Sequence, residues 1–179
     1  MRTGRLQKEY EVSLRWSVFP LHPETPVEGR ELADLFAGRE AMIRDMQSRL
    51  QQIAAAEGLP LTERSRTYNS RLAQELGKWA EGRGRGEQFR NAVYRAYFVE
   101  GVNIALVDEL VRIAAAAGLS PDEARTVLLK RSCAVAVDAD WQRAMDLRIT
   151  AVPTHLCDGK RLSGFAAYDD FVRLIGASP

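Results

Sequence analysis

The dipeptide Asp158-Gly159 constrains this chain more than any other feature, because a two-residue loop of that kind is the turn of a tight β-hairpin. Both turn positions need positive φ, which Asp and Gly tolerate. The turn joins a short strand, Thr154-His155-Leu156-Cys157, to a return strand over Lys160–Ser163, and Gly164 ends the pair. Tyr168 to Ile175 then repeat their apolar residues at helical spacing. Ile149-Thr150-Ala151-Val152-Pro153 leads into the hairpin, so the C-terminal stretch reads as turn, strand, strand, helix.

The chain before it reads differently. Residues 11–19 alternate, with Val12, Leu14, Trp16 and Val18 on one side, the period of a strand with one face more buried than the other. Pro20, Pro23 and Pro26 end it. Residues 5–10 have the pattern of a helix tail and are too few for a helix of their own. From Gly29 to Glu57 the period turns helical through Leu32, Leu35, Phe36, Met42, Ile43, Met46, Leu50 and Ile53. Gly38 leaves one helix or two open there, and Gly58-Leu59-Pro60 stops the run.

A polar link over 62–68 leads to Asn69-Ser70, which can cap a helix over 70–81. Gly82, Gly84 and Gly86 alternate with Arg83 and Arg85, yet fit neither nucleotide-loop spacing and follow no strand, so they read as a helix–helix turn. Helices are expected at 87–99, with an aromatic core stripe through Phe89, Tyr94 and Tyr97, then at about 105–117, 121–131 and 136–147. Ser120-Pro121-Asp122-Glu123 announces the third of these four: a serine cap, a proline in the first turn and acids at the positive end. The order is strand, many helices, hairpin, helix: an α/β chain with a long all-α middle.

Composition narrows the function classes. The net charge of +1 comes from mixed signs, which argues against a nucleic-acid face or an anionic membrane partner. No apolar run approaches the roughly 20 residues of a membrane span. Met1-Arg2-Thr3-Gly4-Arg5 is followed by polar residues rather than a secretory signal's apolar stretch, so a cytoplasmic location is expected. Two cysteines, Cys133 and Cys157, are too few for a disulfide scaffold, and Cys157 is expected to be buried and inert. Two histidines without an acidic cluster lead to no expectation of a metal, and no cofactor is expected.

A hairpin introduced by a Thr-x-Val-Pro turn and closed by a helix resembles the second half of a thioredoxin fold. Thr150-Ala151-Val152-Pro153-Thr154, Asp158-Gly159 and Leu162-Ser163-Gly164 are similar to the cis-proline end of the DsbA-like family. Trp16-Ser17-Val18-Phe19-Pro20-Leu21-His22-Pro23-Glu24, Asn69-Ser70-Arg71-Leu72-Ala73 and Tyr97-Phe98-Val99-Glu100-Gly101 resemble, in the same order, segments of its FrnE-type cytosolic members. The resemblance implies a thioredoxin-like domain from 1–28 and 148–179, truncated at its N-terminus, with a helical insertion domain over 29–147. One departure dominates: such proteins carry a C-x-x-C motif after a first central strand, and neither stands in this sequence. The chain reads as starting inside the helix that follows the motif, at about Thr3 to Tyr10, and the expectation is a true start further upstream. Without that strand, the strand at 11–19 and the strand at 154–157 would each present an unpaired inner edge.

The resemblance implies substrate-binding residues and, for the chain as written, no catalytic ones. The backbone beside Val152 and Pro153 would pair with a bound peptide or thiol substrate, in the manner of an added strand. Phe19 and His22 lie in the segment after the first strand, where a protonated His22 would favour a nearby thiolate. Asn69 would point towards the cleft; the plainer reading is a helix cap. His155 reads as a core or edge residue of its strand. Three functions follow: a thiol–disulfide oxidoreductase acting on protein or peptide thiols and disulfides, a glutathione-binding isomerase or transferase of the same superfamily, or a non-catalytic binding module. Glycine at 164, where an acidic or polar group would hold glutathione, argues against the second. The open strand edges make a homodimer one expected outcome of the third.

Overall fold

Arg2–Tyr10 form helix α1, which turns Leu6 inwards and ends where Glu11 enters the left-handed region at φ 51°. The computed structural model of the chain describes residues 2–177. After α1 the expected strand over 11–19 does not form. Its period of two survives in burial, with Val12, Leu14 and Val18 half-buried and Ser13, Arg15 and Ser17 exposed, although Trp16 is exposed too. A ladder partner is missing: no described strand runs beside it, and the Val18 N–H donates instead to the Asp140 carboxylate at 3.0 Å. Sidedness without a neighbouring edge makes an extended segment, not a sheet.

Two compact units make up the chain, one from Met1–Leu21 and Asp138–Pro179, the other from His22–Val137. The second begins with a two-residue strand, β1 (Arg30–Glu31), where helix was expected. Gly29 precedes it at φ +83°, and a Cβ there would lie 2.6 Å from the Thr67 carbonyl oxygen. Helix α2 (Leu32–Leu35) follows, and Gly38 at φ +80° separates it from α3 (Glu40–Ala56), so the long apolar repeat becomes two helices. The polar link contains β2 (Arg66–Thr67), antiparallel to β1 with Arg30 opposite Thr67 and Glu31 opposite Arg66.

Four helices then form the core of this unit: α4 (Arg71–Gly82), α5 (Gly86–Phe98), α6 (Val107–Ala116) and α7 (Pro121–Lys130). Leu76 and Ala80 from α4, Phe89, Val93 and Ala96 from α5, Leu110, Ile113 and Ala114 from α6, and Ala124 and Leu128 from α7 share one buried cluster. Alanines on facing turns let the backbones approach, while Leu76, Phe89, Leu110 and Leu128 fill the space, each contributing about 2 kcal/mol by burial. Ser120 caps α7 as expected, its side chain accepting from the Glu123 N–H.

Helix α8 (Ala134–Asp146) carries the chain across the division between the units, at Val137 and Asp138. Beyond it lie β3 (Thr154–Cys157), β4 (Lys160–Ser163) and α9 (Tyr168–Leu174). The hairpin forms as read, with Asp158 at φ 46° and Gly159 at φ 78° in the turn, and with His155 opposite Leu162 and Cys157 opposite Lys160. Asp170 holds the start of α9 by accepting from the Ala167 N–H at 2.8 Å. The core here is small: Leu6, Ala166, Phe171 and Val172 are buried, with Tyr10, Val12, Leu162, Tyr168 and Ile175 packed around them.

Candidate substrate-binding site

Residues 151–154 form a turn fixed from both sides. The Val152–Pro153 peptide is cis. The Thr154 hydroxyl donates to the Ala151 carbonyl at 2.7 Å and lies 3.1 Å from the Ser163 hydroxyl across the hairpin. The Gly164 N–H donates to the Pro153 carbonyl at 2.8 Å. Val152 and Pro153 themselves stand exposed, Val152 at 47%. Among the described residues β3 pairs only with β4, so the ladder groups on its other edge face no described strand. Leu156 on β3 and Phe165 after β4 are exposed as well, and the Arg2 guanidinium lies 4.1 Å from the Phe165 ring centroid. The turn thus presents backbone and apolar surface, the groups that hold an extended peptide.

His155 lies between core and edge. It is half-buried, with its ring edge-on to Phe171 at 4.7 Å, and its buried Nδ1 has no hydrogen-bond partner. Burial lowers its pKa, and a hydrogen bond with the Leu162 backbone only partly offsets this. Phe19 is half-buried at the end of the extended segment, and its carbonyl accepts from the Leu21 N–H at 3.1 Å.

The structure places His22 and Asn69 in the helical unit, His22 on a loop that Asn69, just before α4, holds by its carbonyls. The Asn69 amide donates to the carbonyls of Pro23 at 3.1 Å and Thr25 at 2.7 Å, while its oxygen accepts from the Arg71 N–H at 2.8 Å. Asn69, and not Ser70, therefore satisfies a donor at the start of α4; the Ser70 side chain makes no cap bond. Two further side chains hold the same loop by its carbonyls: Asn103 donates to Val27 at 2.9 Å, and Arg66 to Glu28 at 3.2 Å. His22, whose own carbonyl accepts from the Thr25 N–H, rests edge-on to Phe36 at 6.2 Å with its Nδ1 3.8 Å from Glu24. His22 and Asn69 thus meet at one loop, whereas Val152, Pro153 and Phe19 belong to the other unit.

Both cysteines are free and half-buried, which corrects the expectation of a buried Cys157. The Cys157 sulfur lies 3.8 Å from the Asp158 carboxylate. Burial pushes the Cys133 thiol up, and the Glu75 carboxylate adds to the effect, so Cys133 is a poor thiolate. Among the described residues no group of three His, Cys, Asp or Glu could hold a metal ion. No described helix is long and apolar enough to cross a membrane.

The sequence reading missed a buried ion cluster. Glu75, 1% exposed, accepts from Arg71 Nε at 2.6 Å and from Arg131 at 2.7 and 2.6 Å. Burial pushes its carboxyl up, but hydrogen bonds from Arg131 and Arg71 outweigh it, and the pKa ends below the ordinary value. The four-residue step from Arg71 to Glu75 is a visible helical pairing signal; nothing near Arg131 marks it as the partner of Glu75.

Comparison with known proteins places this geometry. The chain matches the profile of the DSBA-like thioredoxin domain over residues 1–176. It is similar to a probable DsbA oxidoreductase from Streptomyces coelicolor, at 27% identity over 87% of this chain and 70% of that one, with a TM-score of 0.78. A 2-hydroxychromene-2-carboxylate isomerase shares the fold at 19% identity, over 98% of this chain and 84% of that one, with a TM-score of 0.74. No curated protein matches by sequence. The helices inserted between the N-terminal segment and the hairpin are those of the DsbA-like thioredoxin fold, and the chain belongs to the DSBA-like thioredoxin domain family.

Proposed function

We propose that this chain is a cytoplasmic, FrnE-type member of the DsbA-like thiol–disulfide oxidoreductase family that binds protein or peptide thiols and disulfides at Val152 and Pro153. In this reading its own two cysteines are not a redox pair. The carrying observation is the turn at 151–154, pinned by Thr154 and Gly164 beside the unpartnered edge of β3. An extended peptide adding at that edge gains main-chain hydrogen bonds, while the exposed Val152 and Leu156 offer apolar contact. Exchange itself needs an accessible thiolate. The sequence holds no C-x-x-C, and Cys133 is tuned away from the thiolate form, so the chain as given binds substrate without supplying that chemistry.

The test is titration of a fluorescent, extended, cysteine-containing peptide, alongside an insulin-reduction assay with dithiothreitol. Binding without catalysed reduction is expected. Val152→Pro, which removes one backbone donor, should weaken binding. Absence of peptide binding sinks the site, and reduction that disappears in Cys133→Ser or Cys157→Ser sinks the claim that these thiols are idle. Displacement of the peptide by glutathione would move the reading towards the glutathione-binding members, which Gly164 disfavours.

A further inference from the structure

Helix α3 has two apolar sides, and its own unit uses one. Ala54 is buried, Ile43, Gln47 and Ile53 are half-buried, and the Gln47 amide donates to the Arg64 carbonyl at 3.3 Å. Beside that face, at four-residue steps, Met42, Met46 and Leu50 are 46%, 60% and 48% exposed. Side chains at such steps touch, so the three form one continuous ridge. No other described helix or strand makes more than slight contact with α3.

We infer that this ridge pairs with the same ridge of a second copy of the chain, the two α3 helices running antiparallel with Met46 on the two-fold axis. The charges beside it point to that occupant. Asp45 and Arg49 border the ridge on its open side, one turn apart, and neither is in a hydrogen bond or ion pair among the described residues. With Met46 facing Met46, Met42 meets the second copy's Leu50. Asp45 then falls within about 3 Å, along the axis, of the second copy's Arg49, since each residue rises about 1.5 Å. The two-fold makes that ion pair twice, and opposed helix dipoles favour the antiparallel sense. A parallel pair would turn the Asp45–Arg49 border towards the side of Ile43 and Gln47, which the unit already uses. Three side chains per copy fall short of the roughly 800 Å2 per partner of a standard interface, so the pair is weak and concentration-dependent.

Sedimentation velocity of the full chain over a wide concentration range tests this, with circular dichroism to confirm folding of each variant. A reversible monomer–dimer equilibrium is expected, weakened about tenfold or more by Met46→Glu, which sets two carboxylates face to face. Asp45→Arg and Arg49→Asp should each weaken the dimer, and the two together should restore it, because the swap rebuilds both ion pairs. A chain that stays monomeric at its highest soluble concentration overturns the inference. So does a dimer indifferent to Met46→Glu, or one that the double swap does not restore.

Discussion

The two units solve the same burial problem unequally. The helical unit closes on itself: α4, α5, α6 and α7 share a cluster running from Ala73 to Leu128, and its one deeply buried charge, Glu75, is held by two arginines. The hairpin unit buries Leu6, Ala166, Phe171 and Val172, keeps an extended segment without a ladder, and leaves one edge of β3 open. Helices satisfy their own backbone groups, whereas a strand depends on a neighbour for half of its hydrogen bonds. Both units keep a two-stranded sheet, but β1 and β2 are two residues each, whereas β3 offers a four-residue edge, the one at which the proposed peptide would add.

The largest effects should come from the closed unit. Glu75→Gln removes the buried carboxylate charge that Arg71 and Arg131 both hold, and a loss of about 3–5 kcal/mol in urea unfolding is expected. Phe89→Ala, at a site 2% exposed, should cost about 3–5 kcal/mol by cavity formation. Phe171→Ala removes the same side chain from the smaller cluster, where neighbours relax more easily, and should cost nearer 2–3 kcal/mol. Hydrogen exchange read separately for the two units checks this. Equal losses would break the contrast.

How much of this was legible depends on whether the signal was local. Ser120 capping α7 and Asp158-Gly159 turning the hairpin depend on a few adjacent residues, and both form as read. The segment 11–19 carries a correct period and no strand, because alternation reports sidedness and says nothing of a neighbouring edge. β1 and β2, two residues each, are too short for any period to show. Asn69 was read as a cleft or capping residue. Its bonds to the carbonyls of Pro23 and Thr25 lay beyond any motif, since a backbone acceptor has no residue type. Arg131 on Glu75 is hidden likewise, by its distance along the chain.

Asn69 gives the next, smaller test. Asn69→Ala removes two bonds to the loop and one to the start of α4, for about 1–2 kcal/mol in the helical unit. Amides of residues 23–28 should exchange faster while those of α6 hold. Uniform loosening of the whole unit would mean that Asn69 supports the core and not the loop.

Acid should separate the units with the smallest effect, and in the hairpin unit the cause is a buried imidazole that resists protonation and not the loss of an ion pair. His155 has its pKa lowered by burial, so the unfolded chain takes up its proton first. Stability of the hairpin unit is therefore full above the ordinary histidine value of 6.5 and falls as pH drops below it towards the folded value. Glu75 also has a lowered pKa, but from an ordinary value of 4.5, so its contribution persists until pH falls below that. On acidification the β3–β4 amides should lose protection before those of α4 and α7. His155→Leu removes the orphaned Nδ1 and should flatten the early loss between about pH 7 and about pH 5 without moving the later one. If the helical unit yields first, or the early loss survives in His155→Leu, the weaker unit is weak for a reason other than this histidine.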